Sequence, residues 1–514
     1  MFASSVRLNL QLRCTFGTPV DDMIYHSPPF PLVLDYGPRI LKTWSAEDEL
    51  GLLLASQHLP RVTEIVLSAP ESTLAKLTTS MTEAAPRLET LILHAQTSEI
   101  VLPEQFLEGG APQLRHLILT GAALSPLQPL LSFATSLVSL VLERIPRSAY
   151  FSPDSLVTQM SAMPLLQILS IGFLSTVPRP GFRGERILPP GHTARTELPA
   201  LTQLIYRGVS IYIEALLSRI RTPRIEDVDI ALFNQLTLDA PRTCSFLREL
   251  DTLRPTLARI DFAETSAHIS VSAPLPTASP DVFLSVSCAR LDFQVAATAQ
   301  LCSRLSLTLE SAEELVLGFH GGAALPEEWR GEVDPGLWRG LLAPFRQIGT
   351  LRVHVALVAD VECALRTNPA DQPILPELRE LVLLHGSDEN GLKSATATLS
   401  AFVDERDSTG RPVKVHSQDL SRLVESETGE PIATYYRATE EAVLISTSSE
   451  GRLISKKTSE VVKKIHDIVY ISCGASYSRS RFLIHNQYSI QNFVRFRWLS
   501  STTRLDDRQK RVHD

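Results

Sequence analysis

Two short groups of residues in this chain have the types and spacing that enzyme chemistry uses. Asp227-Val-Asp229 has the Asp-x-Asp spacing with which sugar-nucleotide transferases hold a metal ion. His320-Gly-Gly322 is similar to the oxyanion loop of some hydrolases, but no Gly-x-Ser-x-Gly nucleophile motif accompanies it. Phosphate-binding glycine loops, His-Glu-x-x-His and calcium-loop motifs are absent from the sequence. We therefore predict a protein that is not an enzyme, with no catalytic residues, no metal site and no cofactor.

The elements that position these residues come from a repeated phrase, Pro-x-Leu-x-x-Leu-x-Leu or a close variant. Clear copies begin at Pro60, Pro86 and Pro112. The first apolar position of the phrase recurs at residues 62, 88, 114, 137, 166, 201, 225, 257, 288, 312, 348 and 378. Irregular steps of this size are typical of leucine-rich repeats with insertions. The sequence predicts an α/β leucine-rich-repeat solenoid, a curved horseshoe of parallel strands with outer helices and about 12–14 irregular repeats.

The predicted solenoid occupies residues 1–416 and begins with N-terminal strands, including Leu32-Val-Leu34. Ser45 predicts the start of a helix that ends near His58, because a serine side chain caps the first free amides. Apolar residues at helical spacing predict further helices between the strands, at 128–133, 153–160, 211–220 and 244–253. Helices and strands therefore alternate, as the solenoid requires.

The chain changes character after His416, where copies of the repeat stop and only one of the 34 prolines remains. Residues 417–514 hold 15 Lys/Arg against 12 Asp/Glu, or +3, and subtraction from the whole leaves 34 against 45, or −11, for 1–416. We predict that 417–514 is a C-terminal tail, either poorly ordered or a separate small module.

The overall charge of −8 argues against a general nucleic-acid binder. The uncharged stretch Ala122 to Leu142 contains two prolines and overlaps a repeat, so we predict no membrane span. The cysteines show no Cys-x-x-Cys pair and lie at 14, 244, 288, 302, 363 and 473. That spacing favours reduced thiols in an intracellular protein, cytoplasmic or nuclear.

One residue of each repeat strand should point to the concave face of the horseshoe, between the last two leucine-type positions. In three consecutive copies of the repeat this residue is an aspartate: Asp229, Asp261 and Asp292. If the strands lie in register about 4.8 Å apart, the carboxylates form a ladder that needs compensating charge. Arg352 and His354 lie on the same predicted face.

Two interpretations of the aspartates remain open. Arg259 and Arg290 stand two positions before Asp261 and Asp292, so the charges can be neutralised internally. Alternatively, the carboxylates form an acidic groove for a basic peptide of a protein target. Two interpretations also remain for the apolar positions from Val66 to Val141. They are either strand-forming residues or a hydrophobic docking strip. Histidines 94, 116 and 354 are predicted to be polar surface residues and not metal ligands.

The order of features over about residues 1–416 resembles the substrate-binding half of fungal F-box/leucine-rich-repeat proteins. The phrases that carry this resemblance are Phe2-Ala-Ser, Leu8-Asn-Leu10-Gln-Leu12, Thr18-Pro-Val20, Phe30-Pro-Leu-Val-Leu34, Phe106-Leu-Glu-Gly-Gly110-Ala-Pro112-Gln-Leu114, Phe151-Ser-Pro153, Leu198-Pro-Ala-Leu201-Thr, Phe233-Asn-Gln-Leu236 and Leu375-Pro-Glu-Leu378-Arg-Glu-Leu381. The resemblance implies a substrate receptor of a Skp–cullin–F-box ubiquitin ligase, whose repeats present a protein target.

The F-box itself, with its Leu-Pro-x-Glu opening, is missing from the sequence, because Met1-Phe-Ala-Ser-Ser begins where the family's F-box ends. Binding of a Skp-type adaptor is therefore expected only if an F-box exists upstream of Met1. The alternative is a free-standing leucine-rich-repeat interaction protein with no link to ubiquitin.

Overall fold

The structure is a computed structural model that places most of the first 420 residues. It describes residues 11–37, 44–96, 100–108, 110–124, 129–174, 195–233, 240–250, 255–272, 281–320, 327–331, 333–366, 373–386 and 389–420. The chain divides into two units, residues 1–423 and 424–514. The second unit lies outside the described residues, as does the predicted tail beyond residue 420.

The described residues form 20 strands, and the repeats supply most of them. They are β1 Leu12–Cys14, β2 Leu32–Tyr36, β3 Val62–Ala69, β4 Thr90–Ala95, β5 Ile100–Val101, β6 His116–Thr120, β7 Ala122–Ala123, β8 Ser139–Ile145, β9 Ile168–Phe173, β10 Thr196–Glu197, β11 Gln203–Gly208, β12 Ile220–Arg221, β13 Asp227–Leu232, β14 Leu257–Ala263, β15 Ser266–Ser272, β16 Asp281–Ser287, β17 Glu314–His320, β18 Thr350–His354, β19 Glu380–His385 and β20 Lys414–Asp419.

Helices connect most of these strands. They are α1 Val20–His26, α2 Ala46–Ser56, α3 Glu71–Ser80, α4 Pro129–Phe133, α5 Pro153–Met160, α6 Ser210–Leu217, α7 Pro241–Arg248, α8 Leu291–Arg304, α9 Ser306–Leu309, α10 Glu327–Arg330, α11 Pro335–Leu342, α12 Val358–Leu365 and α13 Glu389–Ser408. Short 3₁₀ helices occupy Leu59–Arg61, Arg147–Ala149 and Val355–Leu357. None of the helices in the described ranges is long and apolar enough to cross a membrane.

The strands form one large sheet, flanked by two small two-stranded pairs. The order of the large sheet is β1-β2-β3-β4-β6-β8-β9-β11-β13-β16-β15-β14-β17-β18-β19-β20, 16 strands in all within the described residues. Most neighbouring strands are parallel and in register, as in the pairing of Leu91 with Leu117 and of Leu93 with Leu119. Each copy of the repeat phrase therefore places equivalent leucines side by side. The predicted α/β solenoid is confirmed.

Alternation along each strand decides which side chains form the core. Leu91 and Leu93 of β4 are fully buried and belong to the same core cluster as Leu74 and Leu77 of α3. The helix before β3 begins as predicted: Ser45 and Asp48 form a reciprocal capping box at the N-terminus of α2. The apolar faces of the helices thus pack against the apolar face of the sheet and form one continuous core.

One of the predicted repeat strands is wrong. The copy predicted at 288 does not form a strand, because residues 291–304 form helix α8, with Leu291, Val295 and Cys302 buried on one face. The strand of this region is β16, which pairs with β13 in parallel. Between β16 and β14 lies β15, which is antiparallel to both. A hairpin and its return strand are therefore inserted into an otherwise parallel sheet.

Adjacent repeats are also tied together on the helical side of the sheet. Glu214 of α6 is only 7% exposed. Its carboxylate accepts hydrogen bonds from Arg242 N at 2.6 Å, from Thr243 N at 2.7 Å and from Thr243 Oγ1 at 2.6 Å. A side chain of one helix thus caps the N-terminus of the next helix, α7, where the free amides need acceptors.

The main sheet continues past the predicted boundary at His416. Strand β20 runs through that residue to Asp419 and pairs with β19 along its length. The repeat architecture therefore includes the first residues of the segment predicted as tail.

Candidate functional site

The repeats place one residue of each strand in the middle of the helix-free face, which we define as the face of the main sheet opposite to the helix-packed core. Register pairing follows this row from strand to strand. We call it the central row, and in spatial order it is Val66, Ile92, Ile118, Val141, Ser170, Ile205, Asp229, Phe283, Ser270, Arg259, Val316, Arg352, Val382 and His416.

The apolar beginning of the central row is not exposed. Val66, Ile92, Ile118 and Val141 are 2, 0, 2 and 8% exposed, respectively. They do not belong to the main core cluster, which lies on the other face. The strip is therefore no accessible docking surface in this structure.

His94 and His116 lie on the same face, in the adjacent strands β4 and β6. The prediction that they are surface residues is wrong, since they are 2 and 8% exposed. In each ring, Nδ1 is buried and receives no hydrogen bond from the described residues. Burial lowers the pKa of both to about 4, because a charged imidazolium would lose its hydration, and the neighbouring Arg144 and Arg115 lower it further. Both rings are neutral at pH 7.

Near the centre of the helix-free face, strand β8 is irregular. The register of this strand shifts after Leu142, and Arg144 has a left-handed φ of 55°. The carboxylate of Glu143 consequently lies over the next strand, because a Cβ atom at Gly172 would come within 2.1 Å of Glu143 Oε2. Ser170 Oγ donates a hydrogen bond of 2.5 Å to Glu143 Oε1. Glycine at 172 and serine at 170 thus fix the position of this carboxylate.

Asp229 of β13 is the electrostatically unusual member of the central row. Its Oδ1 atom is buried and receives no hydrogen bond from any described residue. Desolvation raises the pKa of this carboxyl to about 6; Arg207 opposes the shift, and Asp227 and Glu143 add to it. Carboxylates outnumber guanidinium groups here, so the described part of this cluster is net negative at pH 7. We call Glu143, Arg207, Asp227 and Asp229 the acidic cluster.

Asp261 is not a neighbour of Asp229, because β15 and β16 lie between their strands. Its carboxylate, 6% exposed, accepts hydrogen bonds from Arg259 Nε at 2.5 Å and from His320 Nε2 at 3.1 Å. Burial alone raises the pKa of this carboxyl, but His320 and Arg259 outweigh burial and lower it to about 2. Asp261 is therefore neutralised within the protein, as one of the two open interpretations requires.

Asp292 and Arg290 are not on the sheet at all. Asp292 lies in the first turn of α8, and Arg290 is the residue before that helix. The arginine donates to both carboxylate oxygens of Asp292, with Nη2 to Oδ2 at 2.6 Å and Nε to Oδ1 at 3.1 Å. The predicted ladder of three aspartates is therefore wrong, because the repeat spacing was extended through a segment that forms a helix.

Arg352 and His354 lie on β18, where they were predicted. Arg352 is in the central row; it binds Glu314 and donates to Gln418 Oε1 at 2.7 Å. His354 is half-buried at the carboxyl end of the strand, and burial is the main reason that its pKa falls to about 4. Neither residue joins the acidic cluster around Asp229.

Replacing Gly318 by alanine should destabilise the fold by about 1–3 kcal/mol. The new Cβ would lie 1.8 Å from Asp261 Oδ1, so the carboxylate must leave Arg259 and His320. Urea unfolding measures the change, with Gly349→Ala as the matched control, since a Cβ at 349 meets nothing closer than 3.9 Å. Equal stability of the two variants would contradict this account of Gly318.

Comparisons with known proteins add little at the level of sequence. No protein-family model matches the chain, and none of the curated proteins matches it. Among solved structures, the chain is similar to the leucine-rich repeat-containing protein LegL7 from Legionella pneumophila. The identity is 13%, over 76% of this chain and 98% of that chain, with a TM-score of 0.25.

The chain's own strands decide the fold, because repeated leucines pair in register along a parallel sheet with connecting helices. This protein has the leucine-rich-repeat fold. The repeat part of the predicted resemblance is thereby supported, whereas the comparisons give no support to an F-box or to a fungal origin.

The helix-free face carries the charged side chains of the acidic cluster. The Asp-x-Asp pair lies at the start of β13, where Gln203 Nε2 of β11 donates to Asp227 Oδ2 at 2.9 Å. Within the described ranges, no group of three or more His, Cys, Asp or Glu side chains is arranged to hold a metal ion. The arrangement is suited to recognising a charged group on a fixed surface.

Proposed function

We propose that this protein is a non-enzymatic recognition scaffold that binds a polypeptide at the acidic cluster of the helix-free face. Asp229 is the observation that carries the proposal. A buried carboxylate oxygen without a donor costs about 1–3 kcal/mol, and such a cost is typical of a group kept for binding. A lysine or arginine side chain of a protein target would supply the missing donor to Asp229 in a charge-assisted hydrogen bond.

The support for the cluster is rigid. Glu143 is held by Ser170, and Asp227 is held by Gln203, each on a neighbouring strand of the sheet. Side chains fixed on strands lose little conformational freedom when they bind, which favours affinity. By contrast, Asp261, Asp292 and Arg352 already have charged partners inside the protein. We therefore assign the partner-binding role to the acidic cluster in preference to these residues.

The finer proposal, a target-binding part of a Skp–cullin–F-box ubiquitin ligase, rests on the family resemblance of the sequence. It predicts that a product extended upstream of Met1 to include an F-box binds a purified Skp-type adaptor. The alternative, a free-standing repeat protein, predicts no such binding. Adaptor binding measured by calorimetry separates the two, and lack of binding by a product extended upstream of Met1 would remove the ligase proposal.

Asp229→Asn should weaken target binding and at the same time stabilise the fold. The raised pKa means that the folded state holds a proton more tightly than the unfolded state. Ionised Asp229 therefore opposes folding fully above pH 6 and no longer does so below pH 3.8, the ordinary value. Asparagine should add about 1–3 kcal/mol at pH 7 by urea unfolding.

Binding is measured on an array of extended peptides that carry lysine, arginine or alanine at the central position. The wild-type protein should select the cationic peptides, and Asp229→Asn should lose that selection. Glu380→Gln is the matched control, because it removes one exposed carboxylate from the same sheet face, far from the cluster. Equal selection by Asp229→Asn and Glu380→Gln would overturn the proposal.

A further inference from the structure

The carboxyl end of β18 contains a hydrogen bond that depends on the protonation state of a histidine. His354 ends the strand and is followed by the 3₁₀ helix Val355–Leu357, which we call the latch turn, and then by α12. The ring nitrogen Nδ1 of His354 accepts a hydrogen bond from the backbone N–H of Ala356 at 3.2 Å. This nitrogen is an acceptor only while it carries no proton, so the cap requires the neutral ring.

The latch turn joins several elements of the C-terminal repeats. The His354 ring packs edge-on against Phe319 of β17 at 5.5 Å, and Phe319 packs against Trp329 of α10 at 5.1 Å. Trp329 Nε1 in turn donates to Ala263 O at the end of β14, at 3.3 Å. Arg330 of α10 donates to Ala356 O. Opening of the turn would therefore loosen the aromatic layer that covers the ends of β14, β17 and β18.

The charges around the ring oppose its protonation. His320 of β17 and His385 of β19 both disfavour a positive charge on His354, in addition to the loss of hydration. Arg330 of α10, which donates to Ala356 O of the turn, is paired with Asp360 of α12 at 3.4 Å. Helices α12 and α13 also pack against the turn, and neither adds a charge that shifts the pKa of this ring among the described residues.

We propose that His354 is a proton-operated latch, which holds the turn after β18 closed at neutral pH and releases it in acid. On protonation, Nδ1 gains a hydrogen and faces the N–H of Ala356, so the hydrogen bond is lost and two donors oppose each other. The imidazolium then turns toward water, which separates it from Phe319. The inference concerns regulation and is independent of the acidic cluster.

The pH dependence of the opening of the turn follows from the pKa of the His354 ring in the closed and in the open turn. If the open turn has the ordinary value of 6.5 and the closed turn has about 4, the opening constant rises about 20-fold between pH 7 and pH 5. Hydrogen exchange of the Ala356 amide, expressed as a protection factor, measures that constant. The Ala343 amide, which bonds to Arg339 O in α11, is the reference in the same sample.

Two variants make the test specific. Asparagine is a good N-cap whose side-chain oxygen does not titrate, so His354→Asn should keep Ala356 protected and remove its excess pH dependence. His354→Ala should leave Ala356 weakly protected at both pH values. The proposal is overturned if the wild type and His354→Asn lose Ala356 protection equally, relative to Ala343, between pH 7 and pH 5.

Discussion

Lowering the pH from 7 to 5 is expected to destabilise the repeat domain by about 3–6 kcal/mol. Four histidines on one sheet face cause the effect: His94, His116, His268 and His354. Each has a pKa of about 4 in the folded protein, with desolvation as the largest cause. Since native domains are stable by only about 5–15 kcal/mol, a loss of this size brings acid unfolding close to pH 5.

The decrease in stability at low pH follows from the number of protons that the folded and unfolded states bind. Between pH 6.5 and pH 4 the unfolded chain protonates these histidines and the folded protein does not, so the unfolded state binds more protons. Above pH 6.5 each histidine is neutral in both states and proton binding costs nothing, and below that pH each ring destabilises the fold increasingly until the pH reaches about 4. At pH 5 the loss is about 1–2 kcal/mol for each ring, because residual contact with solvent reduces the full effect, before other groups are counted.

The two aspartates with shifted pKa values act in different windows. Asp229, with a pKa of about 6, takes up a proton in the folded state first and offsets about 1 kcal/mol of the loss by pH 5. Asp261, with a pKa of about 2, contributes stability above pH 3.8 that disappears only as the pH falls toward 2. The net decrease between pH 7 and pH 5 therefore belongs to the histidines.

Urea unfolding at pH 7, 6 and 5 gives the measurement. The double variant His94→Asn/His116→Asn keeps polar side chains at both positions and removes two of the four titrations, so the decrease should be about half as large. His26→Asn, at an exposed position in α1, should leave the decrease unchanged. A double variant with the same pH dependence as the wild type would show that these two rings do not cause it.

The sequence was sufficient for most strands, because the repeat phrase encodes both strand alternation and the core-facing leucines. It was insufficient at residues 257–304, where a hairpin replaces the regular order of the sheet. The buried positions of α8 repeat at helical spacing, but the repeat period predicted a strand here and placed Asp292 on its exposed face. Local helical periodicity was the better guide there, since insertions make the repeat period unreliable.

The acidic cluster was only partly predictable. Asp229 was selected correctly as a sheet-face carboxylate, because strand alternation gives the face of each side chain. Glu143 was missed, since its approach to the cluster depends on the irregularity of β8 and on the small residue Gly172. Arg207 lies two residues after Ile205 in the regular strand β11, and its place beside Asp229 depends on the register between β11 and β13. Contacts between strands are set by register and backbone shifts, which a single sequence does not specify.

Glu214→Ala is expected to reduce the stability of the repeat domain by about 3–5 kcal/mol. The sequence offers no sign of this, because Glu214 occupies an ordinary position in an amphipathic helix. In the structure its carboxylate is the acceptor for three donors at the start of α7. Alanine would leave these donors buried without partners and would remove the negative charge from a helix N-terminus.

Because neighbouring repeats of a solenoid support each other, the loss should spread beyond α7. Glu214→Gln retains one acceptor oxygen and should lose about half as much stability as Glu214→Ala in urea unfolding. Glu226→Ala is the matched control, since Glu226 is an exposed glutamate just before β13 and should change stability by less than about 0.5 kcal/mol. If Glu214→Ala behaves like this control, the carboxylate is not what joins α6 to α7, and the apolar core alone holds the two repeats together.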